Sequence, residues 1–211
     1  MTPITSQPAP ATFARLVGTP GSTFLSRVSK PTSKEWASHD YWNRMAWDVY
    51  SLYGGVCSYF CHFIPTDTGG RSVDHFAPKS KYPHLAYDWT NYRLSSATAN
   101  GRKSDHEDVV DPFLVQLGWF VLDFPAMVVR PGDNLGAATL SIVESSITRL
   151  QLNSDETCIK GRFRWLVQYC ELAVHDEPRA FAILLRDAPF IARELDRQSL
   201  RGGAIIARVT F

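Results

Sequence analysis

The chain has 211 residues, 45% of them apolar and 20% charged, with a formal net charge of +1. Those proportions describe a globular protein that can bury a core, and they exclude disorder over the whole length. Near-neutral charge excludes a global polycation, so any contact with nucleic acid must rest on local clusters of Lys and Arg.

Residues 1–31 are rich in Pro, Ser, Thr and Gly with scattered apolar side chains, which predicts a flexible N-terminal arm. Thr32-Ser33-Lys34-Glu35 has the form of a capping box. Behind it Trp42, Met45, Ala46, Val49, Leu52 and Tyr53 recur at helical spacing, and Gly54-Gly55 supplies a stop. Cys57 to Ile64, a polar turn at Asp67-Thr68-Gly69-Gly70 and the run Ser72 to Phe76 together predict a β-hairpin.

Pro78 and Pro83 keep the next loop out of helix. Leu94 and its neighbours predict a returning strand, and the segment from Asn100 to Asp105 a short helix. Trp119-Phe120-Val121-Leu122 and Met127-Val128-Val129 predict a second hairpin around Asp123-Phe124-Pro125. Beyond Gly132 the spacing is helical, with Leu140, Val143, Ile147 and Leu150 on one face and Ile159, Phe163, Leu166, Val167 and Cys170 on another. Pro178 suits the opening turn of a last helix, which Pro189 interrupts.

The expected class is α+β in three parts: the arm 1–31, a helix plus a compact core over 32–110, and a β-hairpin with a helical region over 111–211 packed on that core. Four cysteines, Cys57, Cys61, Cys158 and Cys170, do not make a dense disulfide framework. No charged region followed by an apolar run opens the chain, and no stretch reaches the roughly 20 apolar residues of a membrane span. A cytoplasmic protein with no membrane association is expected.

The chemistry concentrates between Val73 and Lys103. Hydrolysis of a phosphodiester needs an activated water and cancellation of charge on the phosphate and the leaving oxygen. Asp74 offers a carboxylate and Asn100 a neutral amide oxygen, a pair suited to a divalent metal of the Mg²⁺ or Mn²⁺ class. His75 can take a proton from water at neutral pH. Asn91 can fasten the loop that holds His75 by bonding backbone groups. Asn100 and Lys103 are three residues apart on one helical face, which makes Lys103 a candidate phosphate clamp. Lys79, Lys81, Arg93 and Arg102 add local positive charge for nucleic acid.

Asp74-His75-Phe76-Ala77-Pro78-Lys79-Ser80, Asn91-Tyr92-Arg93-Leu94 and Asn100-Gly101-Arg102-Lys103-Ser104-Asp105 resemble the motif of HNH endonucleases, a ββα-metal fold. The resemblance covers roughly residues 57–105. It implies Asp74 and Asn100 as metal ligands, His75 as general base and Asn91 as a structural residue, within a ββα-metal HNH core embedded in a mainly helical domain.

The flanks (Cys57, Trp89-Thr90-Asn91, Asp111-Pro112-Phe113 and Arg149-Leu150-Gln151-Leu152-Asn153) are similar to small HNH proteins found beside ATPases in bacterial antiphage systems of the Septu kind. That resemblance implies an effector that cuts DNA with low sequence specificity under a regulatory ATPase partner, with self-association into a homo-oligomer left open. The alternatives are an RNA-cleaving nuclease and a non-catalytic nucleic-acid-binding subunit of a defence complex.

Many HNH proteins hold a structural zinc on two Cys-x-x-Cys pairs. Here Cys57 and Cys61 have three residues between them, and Ser96 and Ala99 stand where the second pair would be, so structural zinc is not expected. Taken singly, the basic residues named above read as solvated charges, and His62, His84 and His106 as structural or exposed. Trp42, Trp47 and Trp165 read as core, as do Cys158 and Cys170.

Overall fold

A computed structural model describes residues 1–67, 70–154 and 158–209, with side chains described to 206. The class is α+β, and the chain divides into two compact units. One comprises residues 4–58 and 64–107; the other comprises 1–3, 59–63 and 108–211.

The first unit opens with a π-helical turn, Ala14–Gly18, that runs directly into helix α1, Thr19–Leu25. This corrects the expectation of a flexible arm over 1–31. Val17 and Phe24 lie seven residues apart, two helical turns, and both are buried. Phe24 stacks on His39 with ring centroids 3.8 Å apart, and Phe13 meets Trp89 edge-on at 5.5 Å. Gly21 allows the close approach, because a Cβ there would stand 2.1 Å from the Tyr87 ring. A few well-placed aromatic contacts hold a segment that its composition alone leaves unstructured.

Helix α2, Ser33–Ser38, begins with a reciprocal capping box between Thr32 and Glu35. The helical pattern behind it splits into a 3₁₀ turn, Tyr41–Met45, and helix α3, Ala46–Leu52. Gly54 and Gly55 then adopt φ of 60° and 69°, the left-handed conformation that ends the helix.

Strand β1, Arg71–His75, pairs antiparallel with strand β2, Tyr92–Ser96, in the register Ser72 opposite Ser95, Asp74 opposite Arg93 and His75 opposite Tyr92. The expected hairpin between Cys57–Ile64 and Ser72–Phe76 does not form; a partner from beyond the loop takes the edge of β1. Of the turn assigned there, Thr68 and Gly69 lie outside the described residues. Ser96 ends β2 and caps helix α4, Ala97–Lys103, by accepting the Ala99 amide at 3.1 Å.

In the second unit, strands β3, Phe120–Asp123, and β4, Val128–Pro131, form an antiparallel hairpin. Helices α5, Ala137–Arg149, and α6, Lys160–Asp187, follow. At Asp176 α6 has non-helical φ and ψ, just before Pro178, and the Asp176 carboxylate accepts the Arg179 amide at 3.1 Å as a fresh N-cap. Pro189 opens helix α7, Pro189–Arg197, and helix α8, Gly203–Val209, comes last. The Arg162 guanidinium is buried and donates to the carbonyls of Met127 and Leu152 at 2.8 and 2.7 Å, tying α6 to the hairpin. The Glu194 carboxylate of α7 accepts the Leu122 amide at 3.0 Å.

Among the described residues no helix is long and apolar enough to cross a membrane.

Candidate functional site

The site lies wholly within the first unit. Alternation along β1 places Ser72 and Asp74 on one face, and His75 ends the strand. Asp74, His75, Lys79 and Asn100 all line a single cleft of about 590 Å³. Trp36 from α2, Trp42 and Asn43 from the 3₁₀ turn, and Asp40 just before that turn also line it.

The geometry of His75 identifies its proton. Nε2 lies 2.9 Å from the Ala86 carbonyl oxygen, which can only accept, so Nε2 carries the hydrogen and Nδ1 keeps its lone pair. The Tyr92 hydroxyl donates to the same carbonyl at 2.9 Å. The imidazole stands edge-on to Trp42 and Tyr92, with centroids 4.8 and 5.3 Å away. Burial, and then the positive charge of Lys79, push its pKa down to about 3, so the ring is neutral at pH 7.

Asn91 is buried and uses its whole amide. Oδ1 accepts the Ala77 amide at 2.7 Å, while Nδ2 donates to the carbonyls of Ala77 and Leu85 at 3.0 and 3.1 Å. It thereby pins both arms of the loop between β1 and β2, the loop that carries Ala86. On α4, Asn100 Nδ2 donates to Ser72 Oγ at 2.7 Å, leaving Oδ1 with no protein partner among the described residues.

Lys103 departs from the expected role of phosphate clamp. It is fully buried, does not line the cleft, donates to the His75 carbonyl at 3.0 Å and lies 3.4 Å from Asp74 Oδ1. Burial lowers its pKa and the Asp74 carboxylate opposes that shift. Its charge is directed inward, at the strand that carries the site.

The other basic residues also separate. Arg93 is buried and donates to the carbonyls of Thr90 and Tyr92 at 2.7 and 2.9 Å, which corrects its assignment as a nucleic-acid contact. Lys81 is exposed but pairs with Glu107 at 3.0 Å and Asp105 at 3.7 Å, so its charge is already answered. Arg102 is half-buried on α4 and does not line the cleft. Lys79 does line it; its Nζ sits 5.1 Å from the Trp42 ring centroid, and burial lowers its pKa.

Asp40, Trp42 and Asn43 were not legible as site residues. Read as one amphipathic pattern, the segment places Trp42 in the core, and it is buried; the 3₁₀ turn also brings it onto the cleft, with Asn43 and the preceding Asp40. The available signal was the polar pair flanking an aromatic doublet, Asp40-Tyr41-Trp42-Asn43, where the capping-box helix is already ending.

Among the described residues no group of three or more His, Cys, Asp or Glu side chains is arranged to hold a metal. The Asp74 carboxylate and the Asn100 amide oxygen are two oxygen donors on one cleft, a set that fits a hard cation whose shell is completed by water and phosphate. No protein-family model matches the chain, and no curated protein matches it.

Proposed function

We propose that this chain is a metal-dependent endonuclease of the HNH kind, hydrolysing phosphodiester bonds of DNA. The observation that carries the reading is the convergence of Asp74, His75 and Asn100 on one cleft, with His75 Nε2 committed to the Ala86 carbonyl. That commitment leaves Nδ1 as the basic atom, in the tautomer a general base requires.

Mg²⁺ or Mn²⁺ held by Asp74 and Asn100 would supply charge neutralisation at the scissile phosphate and the leaving oxygen. His75 Nδ1 takes the proton of the attacking water. Lys79 is the cation offered to the phosphate, replacing Lys103 in that role. Asn91 holds the Ala86 carbonyl and the His75 ring in register, and Lys103 orients the Asp74 carboxylate.

Plasmid digestion with added Mg²⁺ or Mn²⁺ tests the reading. Wild type cuts, and His75→Ala loses about 10²- to 10⁴-fold in kcat with little change in KM. A fully active His75→Ala protein, or intact plasmid in both reactions, overturns it. A matched digestion of RNA decides which nucleic acid is the substrate.

A further inference from the structure

The cleft holds more than a phosphodiester requires. Beyond Asp74, His75, Lys79 and Asn100 it is walled by Trp36 and Trp42 and carries the side chains of Asp40 and Asn43. Asn43 Nδ2 donates to Asp40 Oδ2 at 2.6 Å, which fixes the carboxylate and leaves Asp40 Oδ1 as an acceptor. Among the described residues no cation pairs with Asp40.

A polyanion is repelled by an unneutralised carboxylate in its own binding cleft unless that carboxylate faces something other than phosphate. A nucleobase edge bearing N–H donors is such a group. Trp42 stands at the phosphate end, where its ring meets His75 edge-on at 4.8 Å and takes Lys79 Nζ at 5.1 Å, and it lines the same cleft as Asp40, two residues before it in the chain. A base seated by Asp40 is therefore the one next to the phosphate that Lys79 and His75 serve.

We propose that Asp40, Asn43 and Trp42 form a nucleobase subsite that takes one unpaired base beside the scissile linkage and favours adjacent N–H donors, as guanine presents. The proposal rests on the nuclease reading for what lies at the Lys79 end. The cleft volume of 590 Å³ falls within the roughly 300–1,000 Å³ of small-ligand sites, so it suits a nucleotide that has left its stack. The substrate class is accordingly single-stranded or locally unpaired nucleic acid with guanine at one flank of the cut. Asp40 Oδ1 accepts from guanine N1–H and Oδ2, which has a second lone pair beside the Asn43 bond, accepts from the exocyclic amine, while Trp36 and Trp42 exclude water from that edge.

Calorimetric titration of the whole protein with GMP, IMP and UMP tests the subsite without needing turnover. GMP binds about tenfold more tightly than IMP, which lacks the exocyclic amine, and than UMP. Asp40→Asn, close in shape, brings the three within about twofold, and Asn43→Ala weakens the preference by freeing the carboxylate. Equal binding of the three nucleotides, no binding, or a preference that survives Asp40→Asn overturns the subsite. Retained GMP preference in a protein that cuts no nucleic acid upholds the subsite and sinks the nuclease reading alone.

Discussion

Lys103 Nζ lies 3.4 Å from Asp74 Oδ1 with both side chains sealed from solvent, at 0% and 3% exposure. This pair joins the last turn of α4 to the end of β1, and its loss leaves a charge in the interior. Lys103→Met is expected to destabilise the protein by about 3–5 kcal/mol in urea unfolding, the cost of stranding a buried carboxylate. An unchanged unfolding midpoint, with weaker and less salt-dependent DNA binding instead, would return Lys103 to the role of phosphate ligand.

Lys79 should behave in the opposite way. It lines the cleft and faces Trp42, and no salt bridge or hydrogen bond within the first unit is needed to explain its position. Lys79→Ala is expected to lower stability by about 1 kcal/mol or less through the lost ring contact. It should weaken DNA binding evenly across sequences and reduce the slope of log K against log salt by about one. Fluorescence anisotropy at several salt concentrations reads both effects; an unaltered slope removes Lys79 from the phosphate path.

Asn91 distinguishes donor from acceptor. Asn91→Asp keeps the bond from the Ala77 amide but faces the carbonyls of Ala77 and Leu85 with a carboxylate oxygen. It should therefore be more destabilising than Asn91→Ala, which is expected to cost about 1–3 kcal/mol for the stranded backbone groups. Thermal melts of the two variants side by side decide this, and an Asn91→Asp protein as stable as wild type would show that the amide donors contribute nothing.

Acid should weaken the second unit through His62. Its Nε2 is enclosed without a hydrogen-bond partner, and burial, followed by the charge of Arg162, pushes its pKa down to about 3. The unfolded value is about 6.5, so below that pH the unfolded chain takes up a proton that the folded chain refuses. The stability this group contributes is complete above about pH 6.5 and is lost progressively as the pH falls towards 3. Between pH 7 and 5 the loss is about 2 kcal/mol, at 1.36 kcal/mol per unit. Chemical unfolding at the two pH values should show His62→Leu losing less than wild type by about that amount, and identical losses would place the imidazole in water.

The local elements were legible where one residue type has one physical use. Thr32 and Glu35 announce a capping box, Gly54 and Gly55 a left-handed stop, and Pro178 and Pro189 the breaks around a helical segment. The order strand, loop, strand, helix around Asp74 and Asn100 could also be read, because Pro78 and Pro83 exclude helix between them. Pairing could not. A turn signal at Asp67 argues for a local hairpin, whereas β1 takes its partner from Tyr92–Ser96, and no local pattern reports a distant edge.

The direction of a charge was equally hidden. Lys79, Lys103 and Arg93 are the same kind of residue in the sequence, yet one opens onto the cleft and two are buried against backbone carbonyls. Spacing placed Lys103 beside Asn100 but could not say that one opens onto the cleft while the other turns inward. Residues 1–31 misled for a related reason: composition averages over a segment, and the burial of Val17 and Phe24 is decided at two positions.

Ser96 is at once the last residue of β2 and the cap of α4, so strand and helix meet with no slack between them. A single inserted residue after Ser96 would rotate everything beyond it by about 100° about the helix axis. Asn100 would swing off Ser72 and Lys103 off Asp74 together, while the long connection from Phe76 to Thr90 could absorb added length at its exposed tip. The junction makes this stretch intolerant of changed length, and deletions or insertions scanned through the chain should fall silent there first.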